Sequence, residues 1–376
     1  MKINFSSLLI IATAINILHI VVFNLDRFTI PYDAQLIGKI YSNSQYVKGP
    51  AATTSIGDDG LYAFSGYYLL FHGGNPAQVN FESPPLGTYL IGLSILLFHN
   101  ERVISLIYGI LLLYMSYKLG VLIFSDKTIA ALGVFLLSLE PTFAAHIISN
   151  LLDLPQELFI TSALYFFIQG IQVNQNRWWI SSLFWGLAVS NKFFPGIIFF
   201  WTVLGFWTIK KGKKSFFIWL STLVLVPIIY VLSYFRFFAY NPSFYEFLRF
   251  HKWLFNWRLG NPYVVGNIFY SIFIGKYHDW WGANSLVVYK EWTIITPFIF
   301  LFGYLSIFTA KIKQYPQYFY LYSICVLFLV YVSLLTTGLV KYLMPIFPIL
   351  ALFSSFSIIQ FTKYHWHLNF TTRKHK

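Results

Sequence analysis

Residues 57–102 read GDDGLYAFSGYYLLFHGGNPAQVNFESPPLGTYLIGLSILLFHNER. Two adjacent acids, Asp58 and Asp59, open the stretch, and an aromatic run from Tyr62 to Leu70 follows. A Glu-Ser-Pro-Pro-Leu-Gly turn occupies Glu82–Gly87, and the apolar segment 86–98 comes after it. That segment falls short of the roughly 20 residues that a helix needs to cross a bilayer. Whether it crosses decides the side on which every later residue lies.

The chain around this stretch has 376 residues, of which 57% are hydrophobic and 10% charged, with a mean hydropathy of +0.62. A soluble domain carries about 25% charged residues. The composition therefore predicts an all-α polytopic membrane protein. Aromatic residues make up 21%. They suit lipid interfaces and sugar or lipid clefts, although a genome that favours Phe, Tyr, Ile and Lys accounts for them equally well. The net charge of +13 would suggest nucleic acid in a soluble protein. Here Lys and Arg gather at segment ends, as the positive-inside bias requires, and nucleic acid is not expected as a partner. Cys325 is the single cysteine, so neither an internal disulfide nor a cysteine-rich metal site can form. Lys2 precedes an apolar run from Phe5 to Asn24 with no small-residue cleavage site after it. The run reads as an uncleaved first helix.

Apolar segments fall at 5–24, 86–98, 103–123, 128–147, 155–172, 178–190, 193–209, 215–236, 292–310, 317–336 and 341–361, with no internal repeat. The densest basic cluster is Lys210, Lys211, Lys213 and Lys214. Others are Lys118 with Lys127, Arg177, Lys311 with Lys313, and the tail carrying Lys363, Arg373, Lys374 and Lys376. If the N-terminus is inside and 86–98 lies in the outer interface, all of them fall on the cytoplasmic side. If 86–98 crosses, most flip outward. The parity thus predicts one domain over 1–376, with about ten to twelve transmembrane helices and both termini inside. Segment 86–98 becomes a juxtamembrane or re-entrant helix. A first external loop spans 25–102, a second spans 237–291, and a basic cytoplasmic tail spans 362–376.

This topology brings the scattered polar residues to one face. Asp58 and Asp59 suit a general base or metal ligand, or the first turn of a helix, where Asp is favoured. Glu82 is costly beside lipid unless paired or bound to a cation. Asp153 follows Glu140, His146 and Asn150, and either caps the next helix ahead of Pro155 or belongs to a site. Lys192, at the Asn191–Lys192 break, can meet a lipid phosphate or snorkel to the interface. Lys341 is basic on the outer side, against the positive-inside trend, which favours a phosphate partner. His251 and His278 lie in the second loop with several Trp. The Trp280–Trp281 pair there is of the kind that anchors chains at interfaces. Either histidine could join Glu82 or Asp153 on a divalent cation, although a lone His usually does neither.

Together these residues resemble the C-type-fold (GT-C) membrane glycosyltransferases, the protein O-mannosyltransferases and the lipid A aminoarabinose transferases in particular. Asp58-Asp59 is similar to that family's acidic pair after the first span. Glu82–Gly87 resembles its Pro-Pro-Leu-Gly turn, and Arg102–Gly109 its Arg-x-x-Ser-x-x-x-Gly stretch. Glu140–Leu154 is similar to its helix ending in Leu-Asp, Asn191-Lys192 to its Thr-Lys turn, and Lys341–Pro348 to its basic-Tyr-Leu-x-Pro stretch. Thr88 stands where a Lys often follows the Pro-Pro-Leu-Gly turn, and Asn150 near where an Arg often precedes the Leu-Asp. The resemblance implies a GT-C bundle that moves a sugar, a hexose such as mannose, from a polyprenyl-phosphate donor to a hydroxyl of a protein, lipid or glycan. Transfer would occur with inversion on the extracytoplasmic face of the cell membrane. It implies Asp58 as base with Asp59 orienting it or sharing a cation, and Lys192, Lys341 and Arg102 on the donor phosphate. Glu82, Asp153, His251 and His278 would bind a divalent cation or the acceptor. A transporter or flippase of lipid-linked sugar is the alternative. Transporters usually show paired halves with broken helices, whereas the acids here lie in loops.

Overall fold

The computed structural model describes residues 4–260, 263–279, 285–309 and 315–373, with side chains described to residue 362. Lys311, Lys313, Lys374, Lys376 and the Trp280–Trp281 pair lie outside the described residues, as do the side chains of Lys363 and Arg373.

Helices dominate because lipid offers no partner for a free N–H or C=O, and a helix satisfies both within itself. Among the described residues, five helices are long and apolar enough to cross a membrane. These are Phe5–Phe23, Val103–Phe124, Lys213–Ser233, Pro316–Leu335 and Val340–Thr362. The pair Lys127–Leu139 and Pro141–Ile147, bent by 70°, makes a sixth if it is taken as one span. Glu140 forms the bend: its carboxylate caps the second half at Phe143 N, and Pro141 stands in the first turn. Asp153–Gln172, Arg177–Asn191, Ile197–Lys211 and Ile295–Leu305 complete the bundle. Asp153–Gln172 is buried along nearly its whole length. Facing protein rather than lipid, it can carry Asp153, Gln156 and Glu157. The first helix is the reverse, with Phe5, Ile15, Leu18 and Phe23 exposed, as a lipid-facing surface demands.

Hydrogen bonds fix the helix directions. Asn16 Nδ2 donates to Ser138 O at 2.6 Å, so Phe5–Phe23 runs beside Lys127–Leu139. Ser354 Oγ reaches Ile299 O and Ser357 Oγ reaches Phe302 O, which makes the last helix parallel to Ile295–Leu305. At one end of the bundle Gln317 Nε2 meets Ile123 O, Gln175 Nε2 meets Ser215 Oγ, and Lys210 lies over Tyr320. Those contacts gather the ends that carry Lys127, Arg177 and Lys210–Lys214. Asp58, Asp153, Lys192 and Lys341 meet at the other end.

The apolar segment 86–98 forms the helix Leu86–Phe98, too short to cross alone. It packs on Asp58–Phe71 through two glycines: a Cβ on Gly66 would stand 2.5 Å from Thr88 O, and one on Gly92 2.4 Å from Gly66 O. Small residues permit this close backbone approach. Leu61 and Tyr62 of the first helix, Ile91 and Ile95 of the second, and Leu152 form one buried cluster. The first loop is thereby packed against the residue that precedes Asp153. The second loop holds the helices Phe244–Leu259 and Asn267–Phe273, followed by an antiparallel ladder of Lys276–His278 with Leu286–Val288.

Candidate functional site

Asp58 opens the Asp58–Phe71 helix, where the positive end of the helix dipole favours an acid. Lys341 Nζ lies 3.1 Å from its Oδ2, and the Asp58 side chain is 42% exposed. Asp59 turns back on its own helix, where its Oδ1 accepts from Gly60 N at 2.8 Å. Its carbonyl accepts from Asn150 Nδ2 at 2.6 Å. That bond ties the acidic pair to the turn before Asp153.

Asp153 is nearly sealed, with 6% of its side chain exposed. Lys192 Nζ meets its Oδ1 at 2.5 Å, and His146 Nε2 stands 3.8 Å from its Oδ2. His146 Nδ1 faces the Thr142 carbonyl at 2.7 Å and donates to it, which leaves Nε2 turned toward Asp153. Asn191 Nδ2 donates to Leu152 O at 2.7 Å, so the Asn191–Lys192 break grips the residue before Asp153 as well as its carboxylate. Both lysines lie 5.9 Å from the centre of the Tyr342 ring, which brings the two ammonium groups to one aromatic side chain.

Glu82 joins the same neighbourhood through its effect on two phenols. Burial first, then the charges of Asp58, Asp153 and Glu82, push the Tyr62 hydroxyl well above its ordinary range. Burial, Glu82 and Asp58 do the same to Tyr46, against the pull of Lys341. The Glu82 carboxyl is itself raised, chiefly by burial, with Arg258 opposing and Asp58 adding to the rise. Arg258 donates to the Glu82 carbonyl and lies 4.3 Å over the Phe193 ring. Sequence reasoning missed Arg258. It is one of several basic residues on an aromatic helix, and nothing local marks the one that turns inward.

Other expected members are placed elsewhere. Arg102 pairs with its neighbour Glu101 at 2.5 Å. His251 Nε2 is 2.9 Å from Tyr230 Oη and Nδ1 is 2.8 Å from Phe247 O, within an aromatic cluster of Tyr234, Phe237 and Phe247. His278 ends the strand Lys276–His278, with its ring edge-on to Tyr270. Among the described residues, no three His, Cys, Asp or Glu side chains gather where they could hold a metal ion. Asp58 and Asp153 are already engaged by lysines.

The site thus gathers two acid–lysine pairs and an inward arginine, with Tyr62 and Tyr342 beside them, at one end of a helical bundle. Superposed on solved structures, the chain matches ArnT from Cupriavidus metallidurans bound to undecaprenyl phosphate with a TM-score of 0.66 at 17% identity, over 93% of this chain and 59% of that one. The fold is the GT-C fold. ArnT in the apo state matches at 0.60 and 17% identity, over 80% and 55% of the two chains. The archaeal oligosaccharyltransferase AglB from Archaeoglobus fulgidus, in complex with an inhibitory peptide and a dolichol-phosphate, matches this GT-C chain at 0.50 and 13% identity, over 83% and 47%. The chain spans less than two thirds of the length of each. A family profile described as dolichyl-phosphate-mannose-protein mannosyltransferase matches residues 82–234, from Glu82 through Asp153 and Lys192. Comparison with the curated protein sequences finds no match.

Proposed function

We propose that this GT-C chain is an integral-membrane glycosyltransferase. It moves a sugar, a hexose such as mannose, from a polyprenyl-phosphate donor to an acceptor hydroxyl, with inversion and with Asp58 as general base. The observation that carries the proposal is the pairing of Asp58 with Lys341 at 3.1 Å beside Asp153 with Lys192 at 2.5 Å, both lysines around Tyr342. A base half open to solvent stands next to cations that can receive an anionic leaving group. The profile description and the polyprenyl phosphates bound to ArnT and AglB supply the substrate class.

Lys341 holds Oδ2 of Asp58, and the other oxygen faces the acceptor. As the acceptor oxygen bonds to the anomeric carbon in line with the phosphate, its proton passes to Asp58. The bond from that carbon to the phosphate oxygen breaks, and the electron pair leaves with the polyprenyl phosphate. Lys341, Lys192 and Arg258 meet the charge that develops there, in a partly buried site where such interactions are strengthened. Buried Asp153 holds Lys192 in place, and Asp59 anchors the base to Asn150 through its carbonyl. The site end lies opposite the basic cluster, which supports an extracytoplasmic position.

The test is transfer of labelled hexose from a polyprenyl-phosphate donor by the chain reconstituted in vesicles. Asp58→Asn is expected to lower transfer by about 10²–10⁴-fold. Full retention would remove Asp58 as base, and no transfer by the wild type from any polyprenyl donor would remove the function.

A further inference from the structure

A second cationic seat lies apart from the two acid–lysine pairs. The Lys213–Ser233 span ends at the site end of the bundle, and the short helix Phe235–Tyr240 follows it. Arg236 of this helix lies against the loop after Asp58–Phe71. A Cβ at Gly73 would stand 3.0 Å from Arg236 Nη1 and 3.5 Å from Cζ, so the guanidinium rests on bare backbone. Gly73 has φ +65°, a conformation that glycine adopts without strain. One helical turn on, Tyr240 Oη donates to the Gly73 carbonyl at 3.0 Å and holds the loop in that position.

Arg236 Cζ lies 5.5 Å from the Phe235 ring, whose centroid is 5.2 Å from that of Tyr89 on Leu86–Phe98. The charge of Arg236 acts on the Tyr89 hydroxyl. Arg236 Nε and Tyr89 Oη are both buried atoms with no hydrogen-bond partner, and no ion pair among the described residues engages Arg236. Phe71, Phe235 and Tyr240 are exposed around them.

Two unpaired polar groups within electrostatic range of each other are costly, more so for a charged one at the edge of lipid. A snorkelling arginine would bury its stem and keep the whole head in water. Here Nε is out of water, the fork lies on the loop backbone, and a phenol shares its situation. The missing partner is an anion that the partly exposed guanidinium can meet, with the phenol of Tyr89 close enough to feel its charge. At a rim of exposed aromatic rings, the anion that also carries an apolar tail is a lipid phosphate.

We propose that Arg236 and Tyr89 form a seat for the phosphate of a membrane lipid, with its tail against Phe235 and Phe71. The lipid is either a polyprenyl phosphate or a phospholipid. The seat rests on the membrane reading of the chain and does not require that it transfer sugar.

The experiment is native mass spectrometry of the full chain released from detergent, titrated separately with a polyprenyl phosphate and with phosphatidylglycerol. The proteins compared are wild type, Arg236→Gln, Tyr89→Phe and the control Arg249→Gln, whose side chain pairs with Glu246 on an exposed surface. Arg236→Gln is expected to weaken lipid binding about tenfold or more, Tyr89→Phe by less, and the control not at all. Weakening confined to the polyprenyl phosphate assigns the seat to that lipid. Weakening for phosphatidylglycerol, alone or with the other, assigns it to headgroups in general. Unchanged binding of both lipids to Arg236→Gln overturns the proposal. If that variant does not fold, unchanged binding to Tyr89→Phe does so. No outcome depends on sugar transfer, so failure here leaves the glycosyltransferase reading untouched.

Discussion

Replacing Lys192 by Met leaves the Asp153 carboxylate in place with its cation removed. The pair sits between the start of Asp153–Gln172 and the end of Arg177–Asn191, with side chains 6% and 17% exposed. Taking one partner from a buried pair costs about 3–5 kcal/mol, because the remaining charge stays desolvated. Two features offset part of this. Asp153 lies in the first turn of its helix, where the dipole contributes roughly 1 kcal/mol, and His146 Nε2 stands 3.8 Å away. The expected net loss is therefore about 2–4 kcal/mol. It is read by unfolding purified wild type and Lys192→Met in mixed micelles of increasing SDS content. Asp153→Asn and the double variant complete the cycle. The double variant should lose clearly less than the two single losses added, since the lone charge is gone and the helix contact remains. A loss below about 1 kcal/mol for Lys192→Met is what an exposed pair gives. That result would refute both the burial of the site and its closure by the Asn191–Lys192 turn.

The glycine crossing gives a second prediction: Gly66→Ala and Gly92→Ala each place a methyl against backbone oxygen at 2.5 and 2.4 Å. Each should cost about 1–3 kcal/mol in the same unfolding assay, whereas Gly260→Ala, which meets only Trp257 O at 3.4 Å, should be near neutral. Glu82 supplies a pH dependence. Its folded-state pKa is raised by burial, against Arg258 and with Asp58, so its contribution to stability is full below its unfolded pKa and is lost as pH rises through the folded value. The wild type should accordingly lose stability relative to Glu82→Gln as pH climbs from acid toward neutral, and parallel pH profiles would remove that assignment. For topology, cysteines introduced at Lys213 and at Asp59 should label from opposite sides of sealed vesicles. The single native cysteine, Cys325, is buried and gives no background. Labelling of both from one side would overturn the orientation.

The apolar segments were legible because lipid imposes its demand on every outward side chain at once, so composition alone reveals them. The shortness of 86–98 was legible for the same reason, since a bilayer has a thickness against which a helix can be counted. What stayed hidden is the choice among equivalent charges. Arg249, Lys252 and Arg258 share one aromatic helix, and only Arg258 donates to Glu82 O, a partner 176 residues away in the chain. Arg102, next to a motif, pairs with its chain neighbour Glu101. The same limit governs His146 and His251. Each bonds a carbonyl four residues back through Nδ1, so the local chemistry is identical. One then presents Nε2 to Asp153 and the other to Tyr230. Motif spacing thus locates the loops that meet at the end of the bundle. It leaves to tertiary packing which imidazole or guanidinium reaches the acid–lysine pairs, and a sequence-based list of site residues should be weakest at such interchangeable positions.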